Sequence, residues 1–209
     1  IVLAAEGASF CAGGDLKWMQ AQIAAAPETR AASARKLAQM LQALDLCPKP
    51  VIGRVQGNAF GGGIGMMSVC DMVVAVEGAR FGLTETKLGL TPATISPYVV
   101  ARMGAAKARR VFMSSRLFDA AEARDLGLVG RIVAPDTLDQ AIEAEVIPYL
   151  SCAPGAVADA KALVQSLGPR IDAAVIDATI AALVARWESP EAVEGITAFF
   201  EKRAAHWNL

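Results

Sequence analysis

The 209-residue sequence predicts an α/β protein in which short strands are joined by parallel crossovers. Three observations predict it. Short apolar runs at Ile1–Ala5, Val51–Val55 and Met72–Val76 read as buried strands. Segments with helical apolar spacing lie between them, and glycine or proline marks the junctions.

Each element follows in order. The strand Ile1–Ala5 opens the chain inside an apolar run, which implies that further sequence lies upstream. A Gly-rich loop, Ala12-Gly13-Gly14-Asp15, comes next. The spacing of Leu37, Met40, Leu41 and Leu44 predicts a helix over Glu28–Leu46, ended by Pro48 and Pro50. After the strand Val51–Val55, Gly57-Asn58 leads into a glycine run, with a buried helix over Ile64–Val69 and the strand Met72–Val76 behind it. Two helices are expected between Ser96 and Ser114. Asp119-Ala120-Ala121-Glu122 has capping-box spacing and should open another. Leu128–Val133 reads as the last strand, with Pro135 closing it. From Thr137 onwards the chain reads as helical, with Ile176, Ile180, Leu183, Val184 and Trp187 on one stripe. Ser189-Pro190 should cap a terminal helix carrying Phe199 and Phe200. Residues 1–133 form the expected core, and 134–209 a helical layer belonging to the same unit.

Composition narrows the function. The apolar fraction is 54% against a usual value of about 45–50%, so some apolar surface is free to face partner subunits. A net charge of -1 argues against a nucleic-acid binder, which needs concentrated basic surface. No run has the length of a membrane span, and no secretory signal is visible. Four scattered cysteines without CxxC spacing read as buried free thiols, which suits a reducing, cytoplasm-like compartment. The only histidine, His206, is near the C-terminus, which sets aside a His-based triad or a multi-histidine metal site.

Chemistry concentrates in two glycine-bearing stretches. Ala59-Phe60-Gly61-Gly62-Gly63-Ile64-Gly65 places backbone without Cβ atoms in front of an apolar helix. Amides at a helix start lack intrahelical acceptors, so they can bind an oxyanion or anion. Neither stretch has the dinucleotide or Walker spacing, and the hydrolase nucleophile motif is absent. Glu85 lies in a loop of small and apolar residues. Such a glutamate is ordinarily a solvated surface group, but burial beside a glycine pocket would raise its pKa and suit it to proton transfer. Asp15 and Lys17 ordinarily read as loop solvation, Phe199 as a core aromatic and Lys202 as a solvated amine.

Together these segments resemble the crotonase, or enoyl-CoA hydratase/isomerase, superfamily. The matches are Ser9–Lys17, Gly57–Gly63 with Cys70-Asp71, Phe81-Gly82 with Glu85 and Leu88-Gly89, Ala120–Ala123 with Leu126–Val129, and Phe199–Arg203. The resemblance implies a spiral ββα core of the ClpP/crotonase kind with a C-terminal helical trimerisation layer. It implies an acyl-CoA thioester substrate whose oxygen sits between the amides of Ala12 and Gly62, each worth about 3 kcal/mol to an enolate. Gly61, in the same bend as Gly62, would also contribute to substrate and CoA binding. Backbone over Ala12, Gly13, Gly14 and Asp15 would hold the CoA moiety together with Lys17, while Phe199 and Lys202 would approach it, often from a neighbouring subunit. A homotrimer or dimer of trimers is implied, with no cofactor or metal beyond the coenzyme A of the substrate.

One departure and one further likeness bear on the mechanism. Typical hydratases use two glutamates. The second corresponds to Glu85, whereas the first falls at Gly65. Loss of that side chain is expected to enlarge the acyl pocket, and it also permits a one-base isomerase using Glu85. Gly89–Val100, whose Pro92 is expected to shape the pocket, is similar to bacterial methylglutaconyl-CoA and isohexenylglutaconyl-CoA hydratases. The resemblance therefore implies hydration first, with isomerisation or non-catalytic acyl-CoA binding as alternatives.

Overall fold

The computed structural model describes residues 1–208, without the Leu16 side chain. Leu209, at the end of the expected helical layer, lies outside the described residues. The chain winds in ββα turns. The first holds β1 (Val2–Ala4), β2 (Ser9–Cys11), α1 (Leu16–Ala24) and α2 (Pro27–Asp45). The second holds β3 (Ile52–Val55), β4 (Asn58–Phe60) and α3 (Gly62–Ser68). The third holds β5 (Met72–Val76), β6 (Arg80–Gly82), a 3₁₀ turn over Glu85–Leu88, α4 (Ser96–Met103) and α5 (Ala105–Phe112). Then come β7 (Phe118–Asp119), α6 (Ala120–Asp125) and β8 (Arg131–Val133). The helices α7 (Leu138–Val146), α8 (Pro154–Leu167), α9 (Ala173–Trp187) and α10 (Pro190–Phe200) complete the chain.

Each turn gives its first strand to a sheet of order β1-β3-β5-β8 and its second to a sheet of order β2-β4-β6-β7. Pairing is parallel throughout, except between β6 and β7. The first sheet holds the strands expected from the sequence, with Ile52 opposite both Val2 and Met72. The second was not expected from periodicity. Its strands are two or three residues long, too short to show alternation, and β2 shifts register between Ser9 and Cys11. A helix also replaces the loop expected after Asp15. The Asp15 Oδ1 accepts from the Trp18 N–H at 2.7 Å and caps α1.

Between the sheets and helices, Leu41, Val55, Ile64, Met67, Phe81, Val99 and Leu126 are fully buried. Burial of each such side chain contributes about 1.5–3 kcal/mol. Two smaller apolar clusters join the C-terminal helices to this core. On α2, Ala34 and Ala38 stand one turn apart and leave room for Ile176 and Ile180 of α9. Met19 and Leu90 pack with Trp187, Ala192 and Ile196. The two caps read from the sequence form. Asp119 accepts from the Glu122 N–H at 2.9 Å, and Ser189 Oγ from the Ala192 N–H at 3.2 Å. Asp71, at the start of the core strand β5, accepts from the Val51 N–H at 2.7 Å and pairs with Lys161 of α8 at 2.8 Å.

Three expectations need correcting. Only Cys70 of the four free cysteines is buried; Cys11 and Cys47 are partly buried and Cys152 is exposed. Phe199 is not a core aromatic, because it faces outward at 50% exposure. Lys17 lies on α1 rather than in a loop. Among the described residues, no helix is long and apolar enough to cross a membrane.

Candidate active site

The glycine run forms a bend between a strand and a helix. Gly61, with φ of +51°, turns the chain from β4 into α3, a conformation that side-chain-bearing residues rarely adopt. Its N–H donates to Gly82 O at 3.0 Å, and its carbonyl accepts from the Ile64 N–H at 2.9 Å. The Gly62 and Gly63 amides lie in the first turn of α3, where the helix supplies no acceptor. A Cβ on Gly62 would meet nothing within 4 Å. A Cβ on Gly63 would stand 2.6 Å from Cys11 Cβ. The absence of that atom lets α3 seat directly against the end of β2. The bend at Gly61–Gly63 and the loop beginning at Ala12 are thereby brought side by side.

Glu85 stands across from this bend. A Cβ on Gly61 would lie 2.9 Å from Glu85 Oε1, so glycine is needed for the carboxyl to come this close. The carboxyl is largely buried and its Oε2 has no hydrogen-bond partner among the described residues. Desolvation pushes its pKa up to about 7, opposed only in part by its own backbone N–H. The turn carrying it is held from behind. Arg186 Nε donates to Gly89 O at 3.0 Å, while Arg186 Nη2 pairs with Glu191 at 2.7 Å. A Cβ on Gly195 would sit 2.5 Å from the Leu88 carbonyl carbon, so α10 packs flush on the turn.

A cavity of about 690 Å³ opens over these groups. Its wall includes Gly13, Gly14, Gly61, Gly62, Glu85 and Pro92 of the residues named from sequence. Ala12 lies between Cys11 and Gly13, both in the wall. Other expected residues are not brought to it. Asp15 is engaged as a helix cap, Lys17 is exposed and outside the wall, and Phe199 and Lys202 are exposed near the end of α10. The rest of the wall includes Trp18 and Met19 of α1, Leu37 and Met40 of α2, Met66 of α3, Leu183 and Trp187 of α9, and the Ala93-Thr94-Ile95 segment. The sequence carried a signal for some of these. Leu37 and Met40 lie on the apolar stripe of α2, and Leu183 and Trp187 on that of α9, but a stripe does not distinguish core from cavity wall.

The description "Enoyl-CoA hydratase/isomerase" belongs to a family model that matches residues 1–209. The chain belongs to the enoyl-CoA hydratase/isomerase family. It is 34% identical to a protein of Thermus thermophilus named putative enoyl-CoA hydratase, over 97% of this chain and 80% of that protein. It is 32% identical to the crotonyl-CoA hydratase of Syntrophomonas wolfei, over 95% of this chain and 76% of that one. The solved structure of an enoyl-CoA hydratase from Shewanella pealeana superimposes with a TM-score of 0.78 at 42% identity, covering 99% of this chain and 77% of that one.

Within this enoyl-CoA hydratase/isomerase family member, Gly65 does not enlarge the acyl pocket. A Cβ at Gly65 would stand 2.4 Å from Ile95 Cγ2 and 2.8 Å from Ile95 Cβ. The space a side chain at Gly65 would need is taken by Ile95, which itself lines the cavity, whereas Gly65 does not. Gly65 is thus backed by an apolar wall that leaves no room for a side chain. No residue type at Gly65 signals this from sequence, because its partner lies thirty positions on in a segment without periodicity.

Proposed function

We propose that this protein adds water across the C2=C3 bond of an enoyl-CoA thioester. The reading is carried by the juxtaposition of one carboxyl, Glu85, whose buried Oε2 has no partner among the described residues, with helix-heading glycine amides in a single cavity. The thioester oxygen would lie between the amides of Ala12 and Gly62. As a carboxylate, Glu85 removes a proton from water while the water oxygen bonds to C3. The π pair of the C2=C3 bond moves into an enolate whose oxygen accepts from the two amides. The enolate then takes the proton from the Glu85 carboxyl onto C2, which regenerates the carboxylate. One water is consumed and no other reactant is needed.

The rest of the reading is also proposed. Coenzyme A arrives as part of the substrate and no separate cofactor is required. The acyl group is short and branched or of glutaconyl type, and the protein acts in the cytoplasm, in fatty-acid or branched-chain amino-acid breakdown. Residues 1–133 and 134–209 work as one unit. Self-association as a trimer or dimer of trimers is supported by exposed Leu150, Leu163, Val164 and Leu167 on and beside α8. In such an assembly Phe199 and Lys202, which are outside their own cavity, would serve a neighbour's CoA; Asp15 and Lys17 would contribute through the loop and first turn of α1.

A one-base isomerase is favoured by a different observation, the filling of the Gly65 site by Ile95, which leaves Glu85 as the only carboxylate in the wall among the described residues. Incubation with crotonyl-, 3-methylcrotonyl- and 3-methylglutaconyl-CoA in H₂¹⁸O separates the two. A 3-hydroxyacyl product carrying label is expected. A shifted double bond without label would replace hydration with isomerisation, and binding with neither product would leave an acyl-CoA binder.

A further inference from the structure

The hydration proposed above leaves one group missing. A water attacking C3 has two hydrogens and, with Gly65 in place of a carboxylate, Glu85 can accept only one of them. The Gly65 side of the cavity is closed by Ile95, so no solvent-filled gap replaces the lost acceptor. The neighbouring residue, Thr94, is unusual. It is 5% exposed and it lines the cavity. Its Oγ1 is buried and has no hydrogen-bond partner among the described residues. Glu85 Oε2 is in the same condition in the same cavity.

Buried threonine hydroxyls without partners are costly, and a fold retains few of them. Threonine usually spends its hydroxyl on a nearby backbone carbonyl. Thr137 does so to Ala134 O at 3.0 Å and Thr179 to Ile176 O at 2.9 Å. Ser96, two residues past Thr94, bonds back to Ala93 O at 2.6 Å. Thr94 does not, although it sits in the same turn. The hydroxyl is covered and holds no protein acceptor, in a residue that lines the cavity, so a turn about χ1 can offer it to something that enters there.

We propose that Thr94 binds the attacking water, with its Oγ1 accepting the hydrogen that Glu85 does not take. The hydroxyl has two lone pairs and undergoes no net change of proton, so the balance of the reaction is unaltered. Thr94 in this way supplies the geometric half of what a second carboxylate would do, namely fixing the water over C3, without its charge. Proton removal and return stay with Glu85. The inference rests on the hydratase reading and narrows it to one water held between a carboxylate and a hydroxyl.

The test compares wild type, Thr94→Val, Thr94→Ser and Glu85→Gln as the full chain, using whichever of the three enoyl-CoA substrates turns over fastest. Valine keeps the shape and removes the hydroxyl, and serine restores it. For Thr94→Val, kcat is expected to fall roughly tenfold or more with KM changed little, and Thr94→Ser to recover to within about threefold of wild type. A second readout needs no added water. Acetoacetyl-CoA titrated into each protein forms its enolate against the backbone amides, read by absorbance. Thr94→Val should form this enolate like wild type. Equal kcat in Thr94→Val and wild type would overturn the role of Thr94 while labelled product from wild type leaves hydration standing. Loss of both turnover and enolate in Thr94→Val, unrelieved by serine, would make Thr94 a packing residue and also overturn it. Absence of labelled product from wild type with every substrate would overturn hydration itself, and the water site with it.

Discussion

At the residue scale, Glu85 ties stability and activity to pH in opposite senses. Its folded carboxyl keeps its proton to about pH 7, against an ordinary value of 4.5. Between those values the folded chain binds more proton than the unfolded one. The stability contribution is whole below about 4.5 and declines as pH rises through about 7, by roughly 3 kcal/mol in all. Proton removal from water needs the carboxylate, so kcat/KM should rise through the same range. Glu85→Gln checks both. Its turnover is expected to drop by about 10²–10⁴, and urea unfolding at pH 5 and pH 8.5 should lack the loss of stability that wild type shows. Equal pH slopes in the two proteins would mean that the carboxyl is not held protonated by burial.

At the element scale, the site depends on how closely α3 seats against β2. A Cβ at Gly63 would come within 2.6 Å of Cys11 Cβ and 3.3 Å of Ala59 Cβ. Gly63→Ala should therefore push the helix start away from the Ala12 loop and separate the two amides. We expect a cost of about 1–3 kcal/mol in stability and a larger loss in kcat than in folding. Cys11→Ala does not remove the clash with a Cβ, whereas Cys11→Gly in the same chain should restore part of the rate. Denaturant midpoints and steady-state rates on the three variants check this; full activity in Gly63→Ala would separate the amides' spacing from catalysis.

The same elements explain what the sequence revealed. Buried strands such as Met72–Val76 announce themselves because every position is apolar, and α2 and α9 because a stripe repeats over many turns. The glycine run was legible for a different reason: a string of residues without Cβ has few uses apart from close approach. Glu85 was legible by its isolation among small residues. The β2-β4-β6-β7 sheet was not, since its strands are shorter than one period of the pattern that would reveal them. Ile95 and Thr94 were invisible as well. Their significance comes from a neighbour across space, and neither residue type departs from what a loop before a helix ordinarily contains.

At the scale of the whole molecule, α8 is the least committed element. It has no buried residue, and Leu163, Val164 and Leu167 stand 60%, 71% and 80% exposed, with Leu150 at 78% beside it. Such a patch on a helix already tied to the core through Lys161–Asp71 has the character of a subunit interface. Light scattering on the eluting protein should give a mass several times that of one chain. Leu163→Lys with Leu167→Lys should reduce it while leaving Lys161–Asp71 intact. A wild-type mass of one chain would remove the assembly from the account.

The backing of the Glu85 turn has a consequence in time. Arg186 and Gly195 grip Leu88 and Gly89 from far downstream in the chain. During synthesis the spiral can close, and its amides can line up, well before those two residues are made. The Glu85 turn gains this backing only once α9 and α10 have docked, so a nascent chain without these helices would bring its glycine bends together before the carboxyl is braced.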